Sequence, residues 1–510
     1  MATTKWFYFG TPFVLILLFS GCMVGPDYYR PAAPLAESYT QINPEQGVNV
    51  EHCADLAYWW GNLNDPALNQ LVQTSLNQNL SVREAALRIC ESRAKLGVTA
   101  SSLFPQVDSD GTFYYQKRST SSAGTFIGGG IADPTSQLWS WGTNLSWEID
   151  VFGRLRRLVQ ASEADIEVNC ELYHDAMLIL VSDIARNYVD ARAYQERIEI
   201  VKQNIDIQAQ TLRIVQARFE AQTINELDLA QAKGNLESSK AELPTIYNLY
   251  RNSLNRLSVL LGCPPGYVDE FMYEFRPIPQ APEAIAVGIP AELLRRRPDI
   301  RAAEARIAAQ TYRVGAAVGD LYPMFSISGT FGLDSRYISQ MFTSESLNAG
   351  VGPAFRWNIL NFGRYRCNIV ANEFLQRELV VRYQQAVLNA AEEVDNALSG
   401  YVQEKQRRAY LTNTVTAYAR AVELSQKQYE GGTVDFQRVL DSQRALLTYQ
   451  NQLVQSRAGV TNNIILLYRA LGGGWESMDQ LRCQEPMAGE NAEPVSEETL
   501  IEEIVPGTQE

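Results

Sequence analysis

WEIDVFGR, residues 147–154, returns 210 residues later as WNILNFGR, residues 357–364. The same offset relates four further pairs of positions: Phe219 and Tyr429, Glu220 and Glu430, Thr223 and Thr433, and Leu261 and Leu471. Self-similarity at a constant offset over more than a hundred residues indicates a duplicated structural unit. The chain of 510 residues therefore contains one unit twice.

Upstream of this match the offset is 218 residues, because LFP at 103–105 returns as LYP at 321–323. GTF at 111–113 returns as GTF at 329–331 with the same spacing. The change of eight falls in the Gly-, Ser- and Thr-rich stretch at 119–130, where we expect a longer loop in the first copy only.

Each copy predicts a pair of β-strands, because apolar and polar residues alternate with period two. The apolar positions are Trp139, Trp141, Leu145, Trp147, Ile149 and Val151 in the first copy, and Phe325, Ile327, Phe331, Leu333, Val351, Phe355, Trp357 and Ile359 in the second. A helix should precede each pair, since Pro66 follows the N-cap residue Asp65 and Pro298 is similarly placed in the second copy.

After Gly153 and Gly363 the pattern becomes helical. Each stretch runs 67 residues, to Phe219 and Tyr429, without a proline, which as continuous helix is roughly 100 Å at 1.5 Å per residue. Apolar positions recur every seven residues, as in helices that pack along their lengths: Ile184, Ala191, Ile198, Ile205, Leu212 and Phe219, then Val394, Tyr401, Val415, Val422 and Tyr429, with Arg408 interrupting the second series. Turns at 221–225 and 431–435 then lead into shorter return helices.

Two interpretations of the strands remain open at this stage. One is an antiparallel sheet packed on a soluble core, and the other is a transmembrane barrel with apolar residues facing lipid and polar residues facing a lumen. Strand length and the charged residues on the polar face favour the barrel. Four strands cannot close one, since even small barrels use about eight, and open edges are not tolerated in hydrocarbon. Several copies must then contribute strands to one barrel.

The N-terminus has the features of an exported lipoprotein. Residues 1–21 read as a signal peptide, and Ser20-Gly21-Cys22 resembles a bacterial lipobox in which Cys22 carries the lipid. An ordinary signal peptide with a chance cysteine is the alternative. Six other cysteines have no metal-ligand spacing, and we assign no disulfide among them: Cys53, Cys90, Cys170, Cys263, Cys367 and Cys483. The net charge of -14 argues against nucleic acid as a partner.

Taken together, these motifs resemble the TolC-like outer-membrane efflux proteins, in particular their NodT-type lipoprotein subgroup. The resemblance is carried by CMVGPDYYRP at 22–31, RPDIR at 297–301, the two FGR strand ends and YEGGTVDFQRVLDSQR at 429–444. It implies a homotrimer with a twelve-stranded barrel in outer-membrane lipid, a helical barrel in the periplasm and a small equatorial domain. It also implies a periplasmic adaptor and an inner-membrane, RND-type pump as partners.

The resemblance also implies a gate where the helices turn at the periplasmic end. Asp441 matches a position where relatives place an acidic ring, and Gln437 stands where some relatives carry a large apolar residue. That departure favours a polar gate over an apolar plug. Asp435 and Arg438, three residues apart on one helical face, are further candidates, together with Tyr429. The first copy has Gln231 in place of Asp441.

The expected division of the chain follows from these features. It comprises a signal peptide (1–21), a lipidated segment (22–65), a first repeat (66–262), a linker or equatorial part (263–290), a second repeat (291–472), and an equatorial part with an acidic tail (473–510). The expected fold class is a mixed membrane β-barrel plus α-helical barrel, in which each protomer gives four strands and long coiled-coil-like helices to a trimeric duct.

No catalytic constellation, cofactor motif or metal motif is recognisable, so we expect a passive channel with no cofactor rather than an enzyme. Of the two histidines, His174 should lie on the surface of a long helix. The expected function is export of small molecules across the outer membrane. A duct for protein or peptide secretion remains an alternative, and a non-channel coiled-coil lipoprotein scaffold is a further one.

Overall fold

The structure is a computed structural model that describes residues 23–34, 48–49, 56–117, 135–280, 285–286 and 296–475. The signal peptide, Cys22, Cys53, the loop at 118–134 and the tail after residue 475 lie outside the described residues. No described helix combines the length and the apolar character needed to cross a bilayer.

From the helix before each strand pair onward, the two copies have the same order of elements, and the first copy has an additional helix, α1 (Pro66–Gln78), before it. In the first half these are β1 (Val48–Asn49), α1 (Pro66–Gln78), α2 (Leu80–Ser101), β2 (Gln106–Lys117), β3 (Thr135–Ile149), α3 (Arg154–Glu220) and α4 (Glu226–Leu260). In the second half they are β4 (Ile285–Ala286), α5 (Pro298–Gly319), β5 (Met324–Ser335), β6 (Leu347–Arg356), α6 (Arg364–Glu430) and α7 (Phe436–Ala470). Short 3-10 helices of the described residues lie at Trp59–Leu63, Tyr267–Asp269, Ile338–Gln340 and Ser344–Ser346.

The long helices confirm the predicted duplication. Helices α3 and α6 each have 67 residues, and the return helices α4 and α7 each have 35. Most residues that recur every seven positions face neighbouring helices, since Ile184, Ala191 and Val394 are fully buried, whereas Phe219 at the end of the first series is 37% exposed. Helix α3 packs against α2, α4, α5 and α7, whereas α6 packs against α5 and α7.

The expected equivalence between the helices that begin at Pro66 and at Pro298 is wrong. Pro298 begins α5, as expected, but its counterpart at the offset of 218 is Leu80 at the start of α2 rather than Pro66. Helices α2 and α5 both have 22 residues. Asn79 separates α1 from α2 because its backbone is extended and its side chain caps Val82 N–H. Its amide also donates to the Leu260 carbonyl at 2.8 Å.

The four long strands form one antiparallel sheet in the order β2-β3-β5-β6. The central pair β3–β5 joins the two copies, and Trp147 lies opposite Ile327. The predicted strands are confirmed as β3 and β5, but β3 ends at Ile149, before Val151, and β6 ends at Arg356, before Trp357 and Ile359. One face of the sheet carries exposed apolar side chains, namely Val107, Phe113, Tyr115, Trp141, Phe331, Val351 and Phe355.

The same hydrogen bond ties each sheet end to its preceding helix. The indole N–H of Trp147 donates to the Leu103 carbonyl at 2.9 Å, and that of Trp357 donates to the Leu321 carbonyl at 3.1 Å. The two tryptophans are 210 residues apart and the two acceptors 218 apart. The duplication thus extends to individual contacts.

The RPDIR motif lies where α3, α5, α6 and α7 meet. The buried guanidinium of Arg297 pairs with Asp299 at 2.7 Å and with Glu393 at 2.6 Å, and it donates to the Ala470 carbonyl. Arg301 pairs with Glu171 on α3 at 2.5 Å. Asp299, Glu393 and Ala470 all belong to the second copy, so the Arg301–Glu171 pair is the contact of this motif that joins the second copy to the first.

The expected surface position of His174 is wrong. Its side chain is 4% exposed and stacks on Trp475, with ring centroids 4.6 Å apart. Its Nδ1 lies 3.5 Å from a Glu171 carboxylate oxygen. The middle of α3 is enclosed by α5 and α7, so even its polar positions are covered.

Asp175, near the RPDIR motif, has a perturbed acidity. Burial raises the pKa of Asp175 to about 6, and the nearby carboxylates of Asp299 and Glu393 add to this rise, while Arg297 and Arg469 oppose it. The folded protein therefore retains a proton at pH values where the unfolded chain has lost it. Stability should fall as the pH rises from about 4 to about 6.

We expect Asp175→Asn to remove this pH dependence and to stabilise the fold at pH 7.5 by about 1–3 kcal/mol, because a buried charge is replaced by a neutral amide. Thermal unfolding of the solubilised protein at pH 4, 5, 6 and 7.5 measures the effect. Asp206→Asn, at an exposed position of the same helix, is the matched control. An identical pH profile in both variants would contradict the assignment.

Candidate pore gate at the helical tip

Two turns of the same design form the tip. The hydroxyl of Thr223 donates to the Arg218 carbonyl at 2.9 Å, and that of Thr433 donates to the Gln428 carbonyl at 3.0 Å. Gln222 has a left-handed backbone with φ 52°, where the second turn has Gly432 with φ 75°. Each turn therefore reverses the chain within five residues and sets α3 beside α4 and α6 beside α7.

A small apolar core holds the two turns together. Tyr429 is 5% exposed, and its ring lies 5.4 Å from that of Phe436. Arg218 from the first copy covers the Tyr429 ring at 4.6 Å and donates to the Glu430 carbonyl at 2.6 Å. Further members of this core are Val215, Ala232, Val439 and Leu440. Burial raises the pKa of the Tyr429 phenol.

The other four candidate gate residues are exposed on the first turns of α7: Asp435, Gln437, Arg438 and Asp441. Gln437 and Asp441 are four residues apart on the helix, and the Gln437 amide donates to an Asp441 carboxylate oxygen at 2.9 Å. Within the described residues, no ion pair joins Arg438 to either acid. The structure thus brings Gln437 and Asp441 into contact, while Tyr429 lies in the core beneath them.

Asp228 is a further acidic residue of the tip that the sequence analysis did not identify. It lies in the first turn of α4, where its backbone N–H donates to the capping side chain of Asn225 at 3.1 Å. Burial raises the pKa of Asp228, and the nearby carboxylate of Asp435 adds to the rise. A comparison of the two repeats could have identified Asp228, because it corresponds to the candidate gate residue Arg438 at the offset of 210.

Aligning the two turns shows how the tip departs from internal symmetry. At the same offset Leu227 corresponds to Gln437, and Gln231 corresponds to Asp441. Leu227 is 61% exposed. The first copy therefore presents an apolar and a neutral side chain where the second presents an amide bonded to a carboxylate.

The residues after Cys22 lie at the opposite end of the helices, where the sheet ends. Val24 N–H donates to the Phe152 carbonyl at 3.1 Å, and Arg157 pairs with Asp27 at 2.8 Å. Gly153 has φ 78°, and a Cβ there would lie 2.6 Å from the Met23 side chain. The segment is therefore fixed against the junction of β3 and α3.

No group of three or more His, Cys, Asp or Glu that could hold a metal ion occurs in the described ranges. Cys90, Cys170, Cys263 and Cys367 form no disulfide bond among the described residues. The tip offers charges and amides around a turn, which can attract or repel ions but do not form a nucleophile, a base and an oxyanion site together.

Comparisons with known proteins agree over nearly the whole chain. A family model described as outer membrane efflux protein matches residues 71–263 and 289–473. Nodulation protein T of Rhizobium leguminosarum bv. viciae is 30% identical over 463 residues, which cover 91% of this chain and 92% of that protein. The cation efflux system protein CusC of Escherichia coli O6:H1 is 28% identical over 480 residues, 91% of this chain and 98% of that protein.

Among solved structures, the outer-membrane channel OprN superimposes with a TM-score of 0.81 at 31% identity. The match covers 89% of this chain and 100% of that one. The arrangement of a four-stranded sheet and two pairs of long helices is therefore shared with a channel at the level of the whole fold.

Proposed function

The chain belongs to the outer membrane efflux protein family, and from that premise we propose that three copies form a passive duct for small molecules, served by a periplasmic adaptor and an inner-membrane, RND-type pump. It is an outer-membrane efflux channel of a tripartite pump that extends into the periplasm. Members of the family are channels rather than enzymes. We infer that this chain too has no catalytic activity of its own.

One observation supports the trimer most directly. The sheet has two unpaired edges, β2 and β6, and continues into two helix pairs of equal length. Such a unit is a segment of a wall, because the outward face of the sheet is apolar and its open edges need partners in lipid. Three units of four strands close a barrel of a size that leaves an aqueous lumen.

The proposed substrate class rests on the relatives. CusC is described as a protein of a cation efflux system, which supports small-molecule export over secretion of proteins for this chain. The architecture of the duct suits both, since specificity would come from the pump. Membership of a channel family does not support the scaffold alternative.

We expect the intact protein to migrate as a heat-modifiable trimer and to conduct in planar bilayers. From cross-linked cells it should co-purify with an adaptor and an RND-type pump, because the tips of the helices point toward the periplasm. Affinity purification followed by mass spectrometry identifies the pump. Recovery of a peptide-export ATPase would replace the small-molecule proposal by the secretion alternative, and absence of conductance would overturn the channel.

For the gate we propose that the Asp441 side chains of the three subunits form a carboxylate ring. In each subunit Gln437 holds the carboxylate in place, and Asp435 and Arg438 set the charge around it. Identical carboxylates brought together by symmetry repel one another and attract cations. The exposure of these side chains and the 2.9 Å bond from Gln437 to Asp441 support this. For Tyr429 we propose a supporting role, since its side chain packs in the tip core.

We expect Asp441→Asn to weaken block of the channel by multivalent cations by at least about tenfold, because three carboxylates near 8 Å in water together contribute about 1.5 kcal/mol for each unit of cation charge. Gln231→Ala, at the equivalent position of the first copy, is the matched control and should leave block unchanged. Single-channel recordings with added trivalent cations measure both. Unchanged block in Asp441→Asn would remove the residue from the gate.

We further propose that Cys22 carries the lipid. The neighbouring residue Met23 packs against Gly153 at the end of the sheet, so an acyl chain on Cys22 would start beside the membrane surface. Labelling with a palmitate analogue should mark the wild-type protein and Cys90→Ser, and should be lost in Cys22→Ser. Label retained in Cys22→Ser would contradict the assignment.

A further inference from the structure

The edges of the sheet indicate how neighbouring copies meet. Strand β2 of the first repeat and β6 of the second are the outer strands, and β3–β5 already joins the two repeats inside the chain. We propose that β6 pairs with β2 of the next copy in the register that β3 and β5 use, which places Arg356 opposite the partner subunit's Asp110. This rests on the proposed trimer and adds the register of its subunit seam.

The register follows from the two offsets. Residues of β3 correspond to residues of β6 at plus 210, and residues of β5 correspond to residues of β2 at minus 218. Ser146 lies opposite Ser328 inside the chain. Moving each by its offset gives Arg356 and Asp110.

The neighbouring pair of opposite residues, which lies on the apolar face, gives the same register. Leu145 lies opposite Gly329 inside the chain, and the shifted pair is Phe355 and Gly111. A large side chain thus faces a glycine in both cases. Within the chain the Cβ site of Gly329 lies 3.6 Å from the Leu145 Cβ, so this small partner is part of the packing.

The charges of the two edges are complementary. Arg356 and Asp110 both lie on the polar face of the sheet and are exposed. Asp110 accepts a bond from the Asn144 amide at 2.7 Å through one carboxylate oxygen, and Arg356 has no ion pair among the residues that the structure describes. Opposite charges directly across an antiparallel pair stabilise the pairing.

The same pairing explains where β6 ends. Strand β3 runs to Ile149, which lies opposite Phe325. The corresponding seam pair is Ile359 and the partner subunit's Val107. The sequence alternates through Ile359, yet β6 stops at Arg356 in the single chain. Strand pairing across the seam would supply the missing hydrogen bonds and extend β6 to the predicted length.

Below the sheet, contacts made inside the chain leave their counterparts exposed. Phe152 stacks on Tyr322 with ring centroids 4.6 Å apart, and the corresponding Phe362 and Phe104 are 93% and 66% exposed. At these offsets Phe362 would pack on the partner subunit's Phe104. An aromatic pair at both positions supports a second copy of this chain as the occupant.

Disulfide trapping tests the register. The background has the six cysteines other than Cys22 replaced by Ala or Ser and must still form trimers and conduct. Directly opposite residues have Cβ atoms about 4.5–5.5 Å apart, whereas diagonal neighbours are about 7–8 Å apart, beyond the separation that a disulfide spans. We therefore expect Gly111→Cys with Phe355→Cys to give covalent trimers on non-reducing gels.

The matched controls shift the register by two residues in each direction. They combine Phe355→Cys with Ser109→Cys or with Phe113→Cys, and both should cross-link severalfold less. Stronger trapping in a shifted pair would overturn the register, and so would conducting trimers in which none of the three pairs cross-links. Unsubstituted protein that forms neither trimers nor pores would overturn the seam and the proposed function together.

Charge exchange provides a second measurement that does not depend on cysteine chemistry. Asp110→Arg and Arg356→Asp should each lower the temperature at which the trimer dissociates in detergent, and the double variant should recover most of the loss. Asp108→Arg combined with Arg356→Asp should not recover it. If Arg356→Asp were rescued by Asp108→Arg and not by Asp110→Arg, the proposed pairing would be rejected.

Discussion

Backbone N–H and C=O groups along the outer edges of β2 and β6 have no strand partner within the described chain. In hydrocarbon each such group would cost several kcal/mol, because no water is present to replace the missing hydrogen bond. Exposed apolar side chains line one face of the same strands and would favour lipid. The single chain is therefore incomplete, because the edges of its sheet need strand partners and its exposed apolar face needs lipid. The remaining elements must hold the sheet so that both needs are met.

The duplication allows one type of interface to serve both within the chain and at its open edges. One interface, β3 against β5 with α3 against α5, occurs inside the chain. In the proposed trimer the same interface would recur between chains and close the tube with a single type of contact. The long helices have the same length in the two copies. The tips and the sheet edges of the three chains would then lie at equivalent positions around the axis of the trimer.

The two repeats differ in one additional helix and in the side chains at the tip. Asn79 separates an additional helix, α1, which packs against α3. The tip exchanges Leu227 and Gln231 for Gln437 and Asp441. A wall needs equivalent packing in both copies, whereas a gate can use side chains from one copy only.

Local patterns in the sequence were enough to determine the strands, the 67-residue helices, the turns and the junction at Gly153 and Gly363, because period, proline placement and turn residues act over a few positions. The bond between Gln437 and Asp441 is likewise a local i,i+4 contact. Burial depends on which helices meet, and only the tertiary structure decided it. It placed Tyr429 and His174 inside, gave Asp175 its raised pKa and ended β6 at Arg356, since each of these depends on neighbours distant in sequence or absent from the single chain.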